Sequence, residues 1–350
     1  MNFIFNPNRT FKSILVLVIL LGSSTTMFAQ KDDILLSNYT FAEGREEIGR
    51  ISTASGTLTN VAIEGKKAKA FTINNNVLFI KPRFIKSNRP WYDVVIHAEK
   101  EGRKISTPFR IVNDQFHKNK VIAHRGAWKN TGASENSIAA LKHAIRLGCQ
   151  GSEFDIHMSA DSVLFINHDP KIGDVVIQKS TADQLRKIKL ENGENLPTLE
   201  EYIKAGIKQN KTRLIFEIKP AATKAHALAS ARRVMEMVRK FKAQAWADYI
   251  SFDYDICKEL IKMDPYVHVA YLKGDKSPQE LAADKMWGFD YHFNVLQKND
   301  KWIEQATQLN MTSNVWTVND VETMNWMLNK GVTFITTNEP EILLDIVKKK

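Results

Sequence analysis

The feature that most constrains the fold is an alternation of short apolar runs with longer amphipathic stretches over the C-terminal two thirds of the chain. The apolar runs are predicted strands. They fall at 121–124, 151–157, 213–219, 249–252, 268–272, 291–295, 314–318 and 334–337. Amphipathic helices are predicted between them at 137–147, 199–208, 222–241, 257–263, 301–309 and 321–328. Eight strands with intervening helices in about 230 residues favour an α/β fold, a (β/α)8 TIM barrel.

Ionisable side chains cluster where the first predicted strands end. They are Glu153 and Asp155 in the second strand, Glu217 and Lys219 in the third, His124 and Arg125 at the end of the first, and His168 after a short extra strand at 163–167. Residues two apart in a strand share a face, so each pair points the same way. Because TIM-barrel chemistry lies at the C-terminal ends of the strands, these side chains are predicted to converge on one point.

The three carboxylates, Glu153, Asp155 and Glu217, are hard oxygen ligands, and they predict a site for one divalent cation, Ca²⁺ or Mg²⁺. The alternative is a set of strand-end salt bridges. Three acids at one barrel mouth without a cation would repel each other strongly, which favours the metal site. The two histidines suit proton transfer near neutral pH, so His124 and His168 are the predicted general acid/base pair, with the two roles left unassigned.

The remaining predicted site residues bind substrate. Arg125, with its planar fork, and Lys219, as a point charge, are predicted to contact a phosphate. Trp316, at the end of the seventh strand, is predicted to form an apolar wall, with core packing as the alternative. His157 shares a face with the acids and is a possible neighbour of the metal. His143, His226, His268 and His292 are interpreted as structural or surface residues.

Eight strings between about residues 120 and 340 carry a family resemblance. In order they read VIAHRGAW, SENSIAAL, GSEFDIHMSADSVLFINHD, LPTLEEYI, LIFEIKP, ISFDY, NVWTVND and GVTFITTNEP. Their order and spacing resemble the glycerophosphodiester phosphodiesterase family. Three positions depart from its usual pattern: Ser134 replaces a proline, Ser162 a glycine and Asn338 an aspartate.

The resemblance implies metal-dependent hydrolysis of glycerophosphodiesters, small-molecule substrates, to glycerol 3-phosphate and an alcohol. Either water or the substrate's own hydroxyl, through a cyclic phosphate, makes the first attack. It also implies that Glu135 and Asn136 support the site, with a helix N-cap as the competing role for Asn136. The alternatives are a lysophospholipase D-like or phospholipase C-like enzyme acting on lipids, and a noncatalytic surface-binding protein.

Residues 30–117 predict a separate small all-β sandwich. Apolar runs alternate with Gly, Asn and Lys-rich turns at 57–63, 70–73, 77–81, 92–98 and 109–112. This region vaguely resembles a cadherin-type module. The resemblance rests on short sequence strings around Ala42, Ile48 and Phe71 and on the closing Val112-Asn113-Asp114. A spacer role is expected, with glycan or protein binding as the alternative. The barrel is then predicted over 118–350.

The first 29 residues predict a secretory signal peptide. Arg9 and Lys12 supply positive charge, an apolar run follows from Ile14 to Leu21, and small residues lead to Ala29. The apolar run is too short to span a bilayer, so no stable membrane anchor is expected. The prediction is an exported protein, located in the periplasm, that acts in lipid metabolism.

Composition excludes some classes of protein. The two cysteines, Cys149 and Cys257, are too few for a disulfide framework and are predicted to be buried thiols. The formal charge of +10 is spread over scattered residues, and no nucleic-acid motif accompanies it. The charge therefore suggests solubility and a modest bias towards anionic ligands.

Overall fold

A computed structural model describes residues 34–87 and 89–349, so the predicted signal peptide lies outside the described residues. Residues 34–113 form two sheets that enclose an apolar core, the small all-β part expected from the sequence. Its strands are β1 Ile34–Leu36, β2 Thr40–Phe41, β3 Glu47–Thr53, β4 Leu58–Glu64, β5 Phe71–Asn74, β6 Val77–Ile80, β7 Trp91–Lys100 and β8 Arg103–Asn113. The sheet orders are β1-β3-β6-β5 and β2-β8-β7-β4.

Parallel strands close into a barrel over the rest of the described chain. They are β9 Val121–Ala123, β10 Gly151–Met158, β14 Arg213–Ile218, β15 Ala247–Ser251, β16 Val269–Tyr271, β17 Gly288–His292, β18 Thr312–Trp316 and β19 Phe334–Thr337. The last strand pairs with the first, and the first with β10, so the ring is complete. Three short strands are added on the way round: β11 Leu164–Ile166, which pairs with β10, and the hairpin β12 Lys171–Ile172 and β13 Val175–Val176. The predicted TIM barrel is confirmed.

Helices cover the outside of the barrel. After a short α1 Pro82–Ile85 in the sandwich, they are α2 Ile138–Leu147, α3 Ala182–Leu185, α4 Leu199–Gly206, α5 Lys224–Lys240, α6 Tyr254–Met263, α7 Pro278–Ala283, α8 Phe293–Lys298, α9 Trp302–Gln308, α10 Val321–Lys330 and α11 Pro340–Lys348. Outward strand residues such as Phe154, Phe216 and Tyr249 are buried against them. This shell leaves the strand ends free to carry polar groups.

One predicted strand, at 291–295, is placed wrongly. The strand ends at His292, and α8 begins at the next residue. The His292 side chain accepts a hydrogen bond from the Asn294 N–H, so it caps the helix. The stretch 291–295, predicted to be one strand, is therefore divided between the end of β17 and the start of α8.

The sandwich packs against the N-terminal ends of the barrel strands. The Trp91 ring meets the Trp246 ring, just before β15, with 6.3 Å between centroids. Asn210, just before β14, donates a hydrogen bond to the Asn113 carbonyl at 2.8 Å. In TIM barrels this face serves stability, whereas the opposite face carries the chemistry.

Both cysteines are buried free thiols, as predicted. Burial raises the pKa of the Cys149 thiol to about 12, so it stays protonated and unreactive near neutral pH. Among the described residues, no helix combines the length and apolarity that crossing a bilayer requires.

Candidate active site

The first loop of the barrel is a tight turn at the end of β9. Arg125 and Gly126 both have a positive φ, 56° and 79°, and the Arg125 N–H donates to Glu153 Oε2 at 2.8 Å. A Cβ on Gly126 would lie 2.7 Å from Ala140, so only glycine lets α2 approach this closely. Holding an arginine in the left-handed region costs free energy, which is characteristic of functional sites.

His124 points into the barrel mouth from the end of β9. Its Nδ1 lies 2.8 Å from Asn338 Oδ1, and its Nε2 lies 4.0 Å from Glu153 Oε2. An amide oxygen accepts, so Nδ1 carries the hydrogen and Nε2 presents a lone pair to the site. Burial, together with the positive charge of Arg125, lowers the pKa of His124 to about 4.

The three predicted metal ligands come together. Glu153 and Asp155 project from β10 and Glu217 from β14, and all three offer oxygens that lie within 4.8 Å of one another. All three carboxyl groups are buried. The alternation of side chains along two adjacent parallel strands is what places them on one inward face.

Burial and mutual repulsion set the protonation of these acids. Burial, then Asp155 and Glu217, raise the pKa of Glu153 well above its usual range. Burial and Asp155 raise the pKa of Glu217 to about 7. Burial also opposes ionisation of Asp155, yet Lys219 and the Asn136 amide hold its pKa below the usual value. Of the three acids, Asp155 is therefore the one whose ionised form its neighbours favour.

The two predicted phosphate-binding cations lie beside the acids. Lys219 Nζ is 2.7 Å from Asp155 Oδ1 and 2.5 Å from Glu217 Oε1. Arg125 Nε lies 3.6 Å from Asp155 Oδ2, and its Nη1 binds both oxygens of Glu135 at 3.0 and 2.8 Å. Glu135 thus holds the Arg125 guanidinium in place.

Asn136 is hydrogen-bonded to Asp155 and is not the N-cap of α2. Its Nδ2 donates to Asp155 Oδ2 at 2.8 Å, and its Oδ1 accepts from the Asp155 N–H at 3.1 Å. The helix cap is Ser137, whose hydroxyl accepts from the Ala140 N–H. Asn136 has a φ of 60°, a conformation that asparagine tolerates better than most residues.

His168 lies on the loop after β11, and His157 supports it. The His168 Nδ1 is 2.7 Å from Asp169 Oδ1, and the His168 carbonyl accepts a hydrogen bond from His157 Nε2 at 3.1 Å. This hydrogen bond engages His157 Nε2 and holds the loop that carries His168. Ser162, in place of the usual glycine, keeps a left-handed φ of 65° in the preceding turn.

An aromatic group occupies the other side of the mouth. Trp316 donates its indole N–H to the Asp290 carbonyl at 2.9 Å, which fixes the ring. The rings of Phe252 and His292 meet Trp316 nearly at right angles, with centroids 5.5 and 5.1 Å away. Trp316 thus lies at the mouth with Phe252 and His292 around it, and its role as a wall for substrate stays a prediction. His292, interpreted from the sequence as a structural or surface residue, caps α8 and contacts this ring. Its position at a strand end was hidden by the misplaced 291–295 strand.

Sequence reasoning also missed Asp290, a buried acid on β17 two residues before His292. Burial and the charge of Glu217 raise its pKa to about 8. Its Oδ1 has no hydrogen-bond partner within the described part of the chain. Asp290 lies one residue before the predicted strand at 291–295, so the misplaced strand concealed it.

The acidic cluster fits a divalent cation by its chemistry. Its donors are carboxylate oxygens, and Glu153 Oε1 is buried with no hydrogen-bond partner among residues 34–87 and 89–349. Leaving such an oxygen unsatisfied costs free energy that a hard cation would recover. The orphaned oxygen and the ligand type agree with Ca²⁺ or Mg²⁺.

Comparisons with known proteins identify the family of this chain. The glycerophosphoryl diester phosphodiesterase family matches residues 124–342. A crystal structure of a glycerophosphodiester phosphodiesterase from Parabacteroides distasonis is 45% identical, with TM-score 0.65, covering 67% of this chain and 98% of its own. A glycerophosphodiester phosphodiesterase from Caldanaerobacter subterraneus is 28% identical over 249 residues, 66% of this chain and 99% of the relative.

A third similar structure, at 20% identity and TM-score 0.57, is an Oleispira antarctica phosphodiesterase in complex with its product sn-glycerol-3-phosphate; it covers 66% of this chain and 97% of its own. The fold and the relatives define a TIM-barrel phosphoric diester hydrolase. The chain belongs to the glycerophosphoryl diester phosphodiesterase family, and its activity is that of a glycerophosphodiester phosphodiesterase.

Proposed function

We propose that this protein hydrolyses glycerophosphodiesters to glycerol 3-phosphate and an alcohol in a reaction that depends on one divalent cation and on the pair His124 and His168. The observation that carries the proposal is the cluster of Glu153, Asp155 and Glu217, with ligand oxygens within 4.8 Å of one another and His124 Nε2 4.0 Å from Glu153 Oε2. No comparable grouping of acids occurs elsewhere in the described chain.

The surroundings of the two histidines assign them different roles. Both have Nδ1 engaged, His124 by the neutral Asn338 amide and His168 by the Asp169 carboxylate. A carboxylate stabilises an imidazolium. Burial and the nearby Arg125 disfavour an imidazolium at His124 more than its hydrogen bond with the Asn338 amide favours one. His124 therefore takes the proton from the attacking hydroxyl as general base, and His168 protonates the leaving alkoxide as general acid.

The cations neutralise the phosphate. Arg125 is preoriented by Glu135, and Lys219 is held by Asp155 and Glu217, so both are placed before substrate arrives. Preorganised charge of this kind stabilises the anionic transition state without further reorganisation. A divalent cation held by Glu153, Asp155 and Glu217 supplies Lewis-acid polarisation of a phosphoryl oxygen. The product complex of the Oleispira relative supports glycerol 3-phosphate as the product.

The test is release of glycerol 3-phosphate by the purified protein after chelation and after Mg²⁺ or Ca²⁺ is restored. Glycerophosphocholine, glycerophosphoethanolamine and glycerophosphoglycerol are the substrates. Loss on chelation and recovery with one of the cations is the expected result. Full turnover in the chelated protein contradicts the metal requirement. Turnover of lysophospholipids alone favours the lipid phosphodiesterase alternative.

We also propose that the protein is exported after removal of residues 1–29. The support is the charged, then apolar, then small-residue pattern of the N-terminus. Mass spectrometry of the periplasmic fraction should find a chain that begins at Gln30. An intact N-terminus in the cytoplasmic fraction contradicts the proposal. A glycan or protein partner for the sandwich remains a prediction.

A further inference from the structure

Three aromatic rings line one side of the barrel mouth. We call this group the aromatic wall: Phe252, His292 and Trp316, at the C-terminal ends of β15, β17 and β18. Each ring is partly exposed, so a ligand in the mouth can reach it. The indole N–H bond to the Asp290 carbonyl and the two nearly perpendicular ring contacts hold Trp316 in one orientation.

The strands that carry the wall supply no positive charge, and the two lysines of the loop after β16, Lys273 and Lys276, are paired with Asp275 and Glu280. Strands β15 to β18 contain no lysine or arginine, whereas Arg125 and Lys219 lie on the other side of the mouth. His292 accepts the Asn294 N–H on Nδ1, which is compatible only with the neutral imidazole. Asp290, whose carbonyl accepts the Trp316 N–H, is buried.

We propose that the aromatic wall binds a cationic, quaternary ammonium group on the alcohol side of the substrate. Aromatic faces attract such cations through the ring quadrupole, and groups of two or three rings are the usual recognition element for trimethylammonium ligands. The proposal rests on the proposed function, since it names which glycerophosphodiesters the site prefers. It places the anionic phosphate against Arg125 and Lys219 and the cationic end of the same substrate against the rings.

Two other occupants are less consistent with these residues. An anionic or inositol-like group would find no side-chain cation and few hydrogen-bond donors on β15 to β18. The glycerol moiety is common to all substrates, and an aromatic surface that packed against glycerol would not distinguish head groups. That difference makes the two interpretations separable by experiment.

The first test compares kcat/KM for glycerophosphocholine and glycerophosphoglycerol in the wild type and in Phe252→Leu. The leucine keeps apolar volume and removes one ring, so the ratio of the two kcat/KM values should fall by about fivefold. Phe334→Leu is the matched control, because Phe334 belongs to the same inward apolar cluster but starts β19 at the far end of the barrel. The control should leave the ratio unchanged.

An equal loss of kcat/KM for both substrates would overturn the proposal and assign the wall to glycerol. His292→Asn is a second variant, chosen because asparagine can still cap α8 while the ring is lost. It should lower the same ratio. If Phe252→Leu proves unfolded by circular dichroism, this variant carries the test.

The second test does not depend on turnover. Choline and its neutral isostere 3,3-dimethylbutan-1-ol are titrated into the Mg²⁺-loaded protein by calorimetry in the presence of glycerol 3-phosphate. Choline should bind about tenfold more tightly than the isostere, and Phe252→Leu should abolish the difference. Equal affinities overturn the proposal. Choline selectivity without hydrolysis of any diester would instead refute the proposed function and leave the binding site standing.

Discussion

The two sides of the barrel mouth are built on opposite principles. On β9, β10 and β14, side chains such as His124, Asp155 and Lys219 are charged or polar, buried, and fixed by specific partners. On β15, β17 and β18, partly exposed aromatic rings take their place. The polar side can stabilise charge that develops during the reaction. The aromatic side offers an apolar surface that does not change during the reaction.

This contrast predicts a division of kinetic effects. Groups that stabilise only the transition state change kcat, whereas groups that bind ground state and transition state equally change KM. Substitutions on the polar side should therefore lower kcat, and substitutions on the aromatic side should raise KM. A polar-side variant that altered KM alone would break the comparison.

The largest expected effect is that of His124→Ala. Removing the general base should lower kcat by at least about a thousandfold, within the range known for acid/base groups. Circular dichroism should show an intact fold. His97→Ala, a histidine on the sandwich that pairs with Glu64, is the control and should retain full turnover. Retained turnover in His124→Ala would remove this residue from the mechanism.

Glu217→Gln should change activity and stability in opposite directions. The amide keeps the shape but removes one of three repelling carboxylates, so the metal-free protein should gain stability in thermal unfolding. The same change should weaken Mg²⁺ or Ca²⁺ affinity at least tenfold by calorimetry and lower kcat with it. Unchanged metal affinity would mean that Glu217 is not a ligand.

The stability of the metal-free protein should depend on pH through the same group. The pKa of Glu217 rises from 4.5 to about 7 on folding, so its contribution is fully present below about pH 4.5 and is lost as pH rises towards 7. The loss should amount to at most about 3 kcal/mol in the free energy of unfolding. Urea unfolding across this range measures it, and added divalent cation should reduce the loss. A flat profile would contradict the raised pKa.

Trp316→Leu should mainly raise KM, by about tenfold, because it removes the largest ring of the wall and leaves the polar side intact. Steady-state kinetics on glycerophosphocholine separates the two constants. A fall in kcat with unchanged KM would show that the tryptophan also positions the reacting groups. In that event the division between the two sides would be less sharp than the structure suggests.

Local sequence patterns predicted most of the barrel and the polar side of its mouth. Glu153 and Asp155, and likewise Glu217 and Lys219, are neighbours on one strand, so strand periodicity alone placed each pair on one face. Of the aromatic wall, only Trp316 was predicted in this way. Phe252, His292 and Trp316 come from three strands, and their contact depends on how the barrel closes. The 291–295 error added to this by hiding the strand end at His292.

Local sequence patterns also did not predict how the sandwich packs against the barrel. The edge-to-face contact of Trp91 with Trp246 joins residues far apart in sequence, and neither stands in a motif. The hydrogen bond between His124 and Asn338 spans 214 positions. In the sequence, Asn338 was noted only because it replaces an aspartate that is usual in the family. In the structure, this residue is the hydrogen-bond partner of His124.

The smallest predicted effect is a shift in pH dependence caused by Asn338→Asp. A carboxylate would keep the acceptor for His124 Nδ1 at 2.8 Å and add a negative charge that stabilises the imidazolium. The pKa of His124, which burial and Arg125 lower to about 4, should therefore rise. The acid limb of kcat/KM should move to higher pH by about one unit, because the base must be neutral to act. Asn338→Ala removes a hydrogen bond that raises the pKa of His124, so it should lower kcat/KM and move the limb in the opposite direction, to lower pH. An unmoved limb in the aspartate variant would mean that His124 does not act as the base, and the assignment of the two histidines would have to be reversed.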